Sequence, residues 1–421
     1  MRIRQSLACA GIALAGWLGA TSALAAPLAL AEALQAAARN LEVSIAGRMA
    51  AAALADVKVA DQAPLPQLTA KLSQIDLQNG VGSGSLLRDK RIDKGVGLDW
   101  TWERGDKRAL RTEAARRGAA AAQADVDDVR LQQVLAAHAA FFDLLAAQQR
   151  LAEVMDIEQG SQQLAATAAL RLRAGDLAQQ DSARASIEAQ RARADSQAAR
   201  QDLARARSAL ALLTGLPTAT LEARADWPAA AADAAPTAAL VDQRADVRAA
   251  AERLRAAEAA LAGARALRTS DVTWGASLDH CPGTSTRMVE LRLQVPLSWG
   301  GRFDGESQRA QAQLDQARDQ WDKLRRAAAA EQLLLIEEMR SATLRERSYR
   351  DDIVPQSRDV LRRAEIAYTR GALPLTDLLD ARRTLRSMLI EALVVRTELA
   401  KAIGAWQLRT QPTDRLLTTP P

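Results

Sequence analysis

From Asp106 to Arg173 the chain carries no proline, and only Gly118 and Gly160 interrupt an otherwise helix-favouring run. At about 1.5 Å of rise per residue such a segment extends roughly 100 Å, far beyond the width of a small domain. A helix of that length cannot be wrapped around one globular core. It must be covered along its length by other helices, as in a coiled coil. The feature recurs after Arg302, where the run to Arg370 is broken only by Gly305 and Pro355. Pro355 is expected to kink its helix, because it lacks an N–H and its ring displaces the carbonyl four residues back.

Composition agrees with long, closely packed helices. Of 421 residues, 48% are hydrophobic but only 3% aromatic, with Phe141, Phe142 and Phe303 the three phenylalanines. A thick core would use more large rings, which bury the most area per residue. Alanine, leucine, arginine, glutamine and glutamate dominate instead, all strong helix formers. This excludes an all-β sandwich, and the plentiful leucine and valine exclude a disordered chain. The formal charge of +5 is spread along the sequence without basic and aromatic residues interleaved, so no nucleic-acid partner is expected.

Residues 1–26 read as a secretory signal. Arg2 and Arg4 precede an apolar stretch from Leu7 to Leu18, and Ala23-Leu24-Ala25 offers a small-x-small cleavage site. Cys9 falls in this segment, leaving Cys281 alone in the mature chain, so no intrachain disulfide is expected. No cysteine stands at the cleavage point to carry a lipid. Beyond residue 26 there is no apolar run long enough for a transmembrane helix.

The remainder reads as one unit written twice. Arg39-Asn40-Leu41-Glu42-Val43 resembles Gln243-Arg244-Ala245-Asp246-Val247, and Gly105 and Gly175 fall opposite Gly301 and Gly371. Leu177, Asp181 and Ala185 match Leu373, Asp377 and Ala381. The first repeat is assigned to 27–215 and the second to 238–409, with a Pro- and Ala-rich linker at 216–237 and a tail at 410–421. Each repeat is predicted to hold a helix of about thirty residues (Leu30 to Asp61 in the first), two strands, and a long helical hairpin turning near Gly175 or Gly371.

The predicted strands are 67–77, 94–104, 271–280 and 288–299. Val289, Leu291, Leu293, Val295 and Leu297 alternate with Glu290, Arg292, Gln294, Pro296 and Ser298, and the other strands alternate likewise, the first with a phase slip before Ile75. A period of two gives one apolar and one polar face. About ten residues suits a tilted strand crossing a bilayer, and Trp100, Trp102, Trp274 and Trp299 suit an aromatic belt at its interfaces. Pro296 is expected to mark a bulge or bend. Two soluble hairpins resting on a core are the alternative. If the strands span, four cannot close a barrel in lipid, so the chain must assemble, and three copies would supply twelve strands.

With these features the sequence resembles the TolC-like outer-membrane efflux protein family over Leu30 to Trp406. Tyr368-Thr369-Arg370-Gly371, followed by Asp377-Leu378-Leu379-Asp380-Ala381, is similar to the family's most specific signature. Val295-Pro296-Leu297 with Trp299-Gly300-Gly301-Arg302 resembles its strand-to-helix junction, and Leu30 to Leu34 with Asn40 resembles its first helix. The turn from Leu172 to Leu177 is a looser match, with Leu172 where the signature has tyrosine. The resemblance implies a mainly α fold with four β-strands per chain. It implies a homotrimer whose twelve-stranded barrel in outer-membrane lipid continues as a periplasmic helical barrel. It further implies a passive exit duct of a tripartite efflux system, docking on a periplasmic adaptor and an inner-membrane pump. The alternatives are the exit duct of a type I protein secretion system and a non-transporting periplasmic coiled-coil scaffold.

The resemblance also assigns candidate residues. Asp377 and Asp380, three apart on one helix face, would form carboxylate rings at the pore entrance. Alternatively, Asp377 is a first-turn acid favoured by the helix dipole. Tyr368 would help hold the entrance closed, with Asp181 or an arginine near it as partner. Gly175, Leu177, Gly371 and Leu373 are candidate adaptor contacts at the hairpin tips. No enzyme motif, cofactor site or metal site is predicted: His138 and the pair His280-Cys281 are too few ligands for a closed metal centre. The transported substrate is not legible.

Overall fold

The computed structural model describes residues 27–85, 91–218, 221–229, 238–282, 285–297 and 302–410. The signal segment, Trp299 with its glycine junction, and the tail from 411 lie outside them. Two short helices open the chain, α1 (Leu30–Ala37) and α2 (Leu41–Ala60), followed by β1 (Gln67–Ser73) and β2 (Asp93–Trp102). The hairpin α3 (Lys107–Arg173) and α4 (Gln179–Thr214) completes the first half. The order then recurs as α5 (Ala238–Gln243), α6 (Ala245–Ala266), β3 (Val272–Cys281), β4 (Ser285–Gln294), α7 (Asp304–Ser348), α8 (Val354–Thr369) and α9 (Leu375–Thr410). The fold is mainly helical with four antiparallel strands in one sheet.

The single opening helix expected in each half is in fact two, broken where the repeat motif falls. Asn40 is extended, and its side-chain oxygen accepts from the Val43 N–H at 3.1 Å, capping α2. Its amide donates to Gln133 at 2.7 Å and to the Leu213 carbonyl at 3.2 Å, tying the break to α3 and α4. Arg244 occupies the same place in the second half but does not cap with its side chain. It bonds Asp246 and Glu331, both at 2.8 Å, and Asp246 accepts from the Val247 N–H.

In the sheet, order β1-β2-β3-β4, the registers bring the apolar positions together. Val96 faces Leu278, Trp100 faces Trp274, and Trp274 in turn faces Leu293. This face is open to the surroundings: Leu68 is 76% exposed and Leu291 79%. The opposite face is polar and crowded. Thr101 and Thr273 hydroxyls meet at 3.0 Å and Arg292 reaches Asp99 at 3.1 Å. A Cβ at Gly97 would lie 2.8 Å from that of Ser277, too close to be tolerated, so glycine lets the strands approach there.

Strand ends differ from expectation. β1 stops at Ser73, not 77, because Gln74 turns left-handed (φ 58°) and Asp76 then accepts from the Gln78 and Asn79 N–H groups. β4 spans 285–294, not 288–299, so Pro296 follows the strand instead of bending it. The register shift of this sheet lies between Asp279 and Cys281. The junction to the helices is fastened by Asp271, which accepts from the Arg104 N–H and pairs with Lys107 at 2.8 Å.

The kink expected at Pro355 takes the form of a π-helical turn, Tyr349–Ile353, between α7 and α8. The Val354 N–H bonds the Tyr349 carbonyl five residues back, which opens room for the proline ring. The turn does not lengthen this arm relative to the first half, since 70 residues separate Gly105 from Gly175 and likewise Gly301 from Gly371. Val126 packs on Val43 in the first half and Trp321 on Val247 in the second.

Alanine is the most frequent buried residue, but one cluster is aromatic. Phe141 and Phe142 are buried with Leu144, Leu210 and Leu221, and Trp227 of the linker packs on Phe142 with ring centroids 5.6 Å apart. Leu28 bridges Ala223 in parallel, so the start of the described chain and the linker are laid side by side over this core.

Candidate pore entrance at the paired hairpin turns

The two hairpins end in the same backbone motif. The Gly175 and Gly371 N–H groups bond Leu172 and Tyr368 carbonyls, both at 3.0 Å. The next N–H, of Asp176 or Ala372, reaches back five residues to Arg171 or Ala367, both at 2.9 Å. This pair of bonds requires a left-handed residue at the glycine, and φ is 83° and 74°. Nothing lies within 4 Å of a Cβ built at either glycine, so the turn itself demands them, not a close neighbour within this chain.

The turns are pinned together by an apolar cluster. Ala168 and Ala185 of the first hairpin pack with Leu375, Leu378 and Leu379 of the second, with Leu177 and Tyr368 at its margin. Leu373 is half-buried beside it. The α9 helix thus buries Leu378 and Leu379 while Asp377 and Asp380 stay exposed. Asp377 lies in the first turn of α9, and Asp380 pairs with Arg383 at 3.2 Å. Arg383 also grips Glu188 on α4, and Arg386 grips Asp195, so a ladder of ion pairs joins the two hairpins above the turns.

Tyr368 takes an arginine partner, but not one beside Asp181. The Arg171 guanidinium donates to its hydroxyl at 3.2 Å and lies over its ring at 5.6 Å. Asp181 instead pairs with Arg184 at 3.6 Å within its own helix. Arg171, Arg383, Arg386, Glu188 and Asp195 were not singled out from the sequence. Their helices abound in arginine and acids, and only the packing of the hairpins selects which ones meet.

At the other end of the long helices, Trp100, Trp102 and Trp274 stand on the exposed apolar face of the sheet, while Trp299 lies outside the described residues. No helix among the described residues is long and apolar enough to cross a membrane, which says nothing of strands. His138 is buried against Gly404 and the Phe142 ring, its centroid 4.9 Å from the latter.

The described residues thus form an open-edged sheet with an exposed apolar face, continued by helical hairpins whose longest helix runs roughly 100 Å. Solved structures share the fold over nearly the whole chain. A membrane protein from Pseudomonas aeruginosa aligns at 20% identity over 91% of this chain and 93% of its own, TM-score 0.78. The CmeC outer membrane channel of Campylobacter jejuni aligns at 15% identity over 92% and 88%, TM-score 0.77. The open state of the MtrE outer membrane channel of Neisseria gonorrhoeae aligns at 18% over 90% and 88%, TM-score 0.72. No curated protein sequence matches. Residues 238–405 match the sequence model described as outer membrane efflux protein.

Proposed function

We propose that this chain is one third of a passive exit duct that crosses the outer membrane and extends into the periplasm as part of a tripartite efflux system. The observation that carries the reading is the sheet. Its apolar face is exposed, and among the described residues neither β1 nor β4 has a further strand on its outer edge. Such edges are intolerable in lipid. Closure by copies of the same chain satisfies them, and three copies give twelve strands, within the range of outer-membrane barrels. That CmeC and MtrE are outer membrane channels supports the same reading.

In this assembly Asp377 and Asp380 form carboxylate rings at the periplasmic mouth, which favour cations. The Arg171–Tyr368 contact ties one hairpin to the other beside them. The tips at Gly175, Leu177, Gly371 and Leu373 meet the periplasmic adaptor, and the energy for transport comes from the inner-membrane pump.

The test is fractionation of the full chain with heat-shift gels, followed by planar-bilayer conductance. The protein should fractionate with the outer membrane and run as a three-chain species until heated. Single channels should prefer cations, and Asp377→Ala with Asp380→Ala should reduce that preference severalfold. A protein that stays in the soluble periplasm sinks the duct. Unchanged selectivity in the double variant sinks the carboxylate rings alone. Adaptor contact is tested by photo-crosslinking from position 373, and labelling no stronger than from the exposed mid-helix position 187 would refute it.

A further inference from the structure

The π-helical turn at Tyr349–Ile353 borders a cavity of about 210 Å³ between α3, α8 and α9. Wide turns of this kind recur at functional sites. A single water needs about 10–15 Å³ and drug-sized pockets take about 300–1,000 Å³, so this volume suits a small metabolite. The apolar lining is Val354 from α8 with Leu389, Ala392 and Leu393 from α9. The charged lining is Arg350, Arg358 and Arg396 with Glu153 and Glu346, three guanidiniums against two carboxylates. One further negative charge balances them.

Some of these groups are already engaged. Arg350 binds the buried Glu346 at 2.9 Å and Asp351 at 2.9 Å. The Gln149 side-chain oxygen accepts from the Trp227 indole at 3.2 Å, which leaves the Gln149 amide nitrogen as a donor. Arg396 lies over the Trp227 ring, 5.9 Å from its centroid. Among the described residues, neither Arg358 nor Arg396 is in an ion pair, and nor is Glu153. The groups left over thus carry the same net positive charge as the whole lining. Contacts of α9 order them along the cavity. Towards the end of α9, Glu398 meets Arg345 and Lys401 meets Asp143. Nearer its start, Arg382 meets Glu365 and the Gly160 carbonyl. Arg358 and Glu153 therefore fall at the Leu389 end, and Gln149 and Arg396 at the other, a rise of roughly 10 Å along the helix. Arg358 and Glu153 are exposed whereas Gln149 and Arg396 are half-buried, so the mouth lies at the Leu389 end.

We infer that this cavity binds a small aliphatic carboxylate, its head group on Arg396 and the Gln149 amide and its hydrocarbon stem along Leu389, Leu393 and Val354. A guanidinium matches a carboxylate through two parallel N–H···O bonds, and stacking on Trp227 holds that of Arg396 in place beforehand. The ligand's single negative charge meets the excess positive charge of the lining, and its stem covers the apolar wall. All lining residues belong to one chain, so the site does not depend on the three-copy assembly.

The test is isothermal titration of the purified full chain with hexanoate. In parallel, 1-hexanol reports partition into detergent and inorganic phosphate serves as an anion without a stem. Hexanoate should bind saturably, one molecule per chain, and more tightly than either control. Arg396→Gln should weaken it about tenfold or more. Ala392→Phe, which fills the cavity, should abolish it. Arg326→Gln, which removes an exposed partner of Asp322 on α7 outside the cavity, should leave it unchanged. Absence of saturable hexanoate binding, or equal binding by the native chain and Arg396→Gln, overturns the site. Phosphate binding as tightly as hexanoate overturns the aliphatic class of ligand. If Arg396→Gln does not fold, Ala392→Phe decides alone, and hexanoate binding that survives it overturns the inference.

Discussion

His138 sits in a hole that only glycine leaves open. A Cβ on Gly404 would collide with the imidazole ring, so α3 and α9 approach closely at this one level of the bundle. Burial, with the Lys401 charge as a lesser cause, pushes the imidazole pKa down to about 4. The folded chain therefore holds this histidine neutral over a range where the unfolded chain, titrating near 6.5, binds a proton. Stability is fully present above about pH 6.5 and declines as the pH falls towards 4, by about 3 kcal/mol in all. The temperature at which the folded band is lost should fall between pH 7.5 and 4.5, and His138→Leu should flatten that dependence. A parallel loss in both proteins would show that the acid sensitivity lies elsewhere. From the sequence His138 stands out only as a histidine without enough fellow ligands for a metal centre. Its neighbour Gly404, 266 positions away, carries no local signal that it faces a ring. For the same reason Tyr368 was legible as a candidate but its partner Arg171 was not, since nothing in the spacing of one hairpin reveals which residue of the other it meets.

At the scale of elements, the irregularities are better explained than the regular parts. The π-helical turn at Tyr349–Ile353 makes room for the Pro355 ring, and it is secured by the Tyr349 hydroxyl donating to Glu391 at 2.9 Å. Deleting Asp352 while keeping Pro355 should force the proline into a regular helix, at a cost of about 3 kcal/mol or more, with loss of the heat-resistant species. Deleting Asp352 together with Pro355→Ala should recover most of it, because alanine fits a regular helix without displacing a carbonyl. Equal damage in both variants would show that the turn is not there to accommodate the proline. Pro355 announced a disturbance in the sequence, but whether it kinks a helix or lodges behind a wide turn depends on backbone hydrogen bonds that no side chain encodes. Strand ends were misjudged in a similar way. Alternation continues through Val295 and Leu297 although pairing stops at Gln294, because a side-chain pattern does not register where the partner strand ends.

On the scale of the whole molecule, the two faces of the sheet should respond oppositely to charge. Leu291 lies on the exposed apolar face and Glu290 on the face that carries the Asp99–Arg292 pair. In a bilayer Leu291→Arg should cost about 2–4 kcal/mol and reduce outer-membrane insertion, whereas Glu290→Gln should leave it nearly unchanged. Comparable insertion of the two variants, measured in membrane fractions, would refute a lipid-facing surface. The apolar-rich, ring-poor composition is also clearer at this scale. Alanine is the most frequent buried residue of the helices, and the rings gather on the sheet face and in the cluster of Phe141, Phe142 and Trp227, with Trp321 and Trp406 packed singly between helices. By itself the sequence determined the long helices, the tandem repeat and the two-faced strands, because each follows from the local period of apolar residues and from where glycine and proline fall. Only the tertiary structure decided which residues meet across the hairpins and where the strands stop. Those depend on contacts between segments hundreds of residues apart, and no local period carries that information.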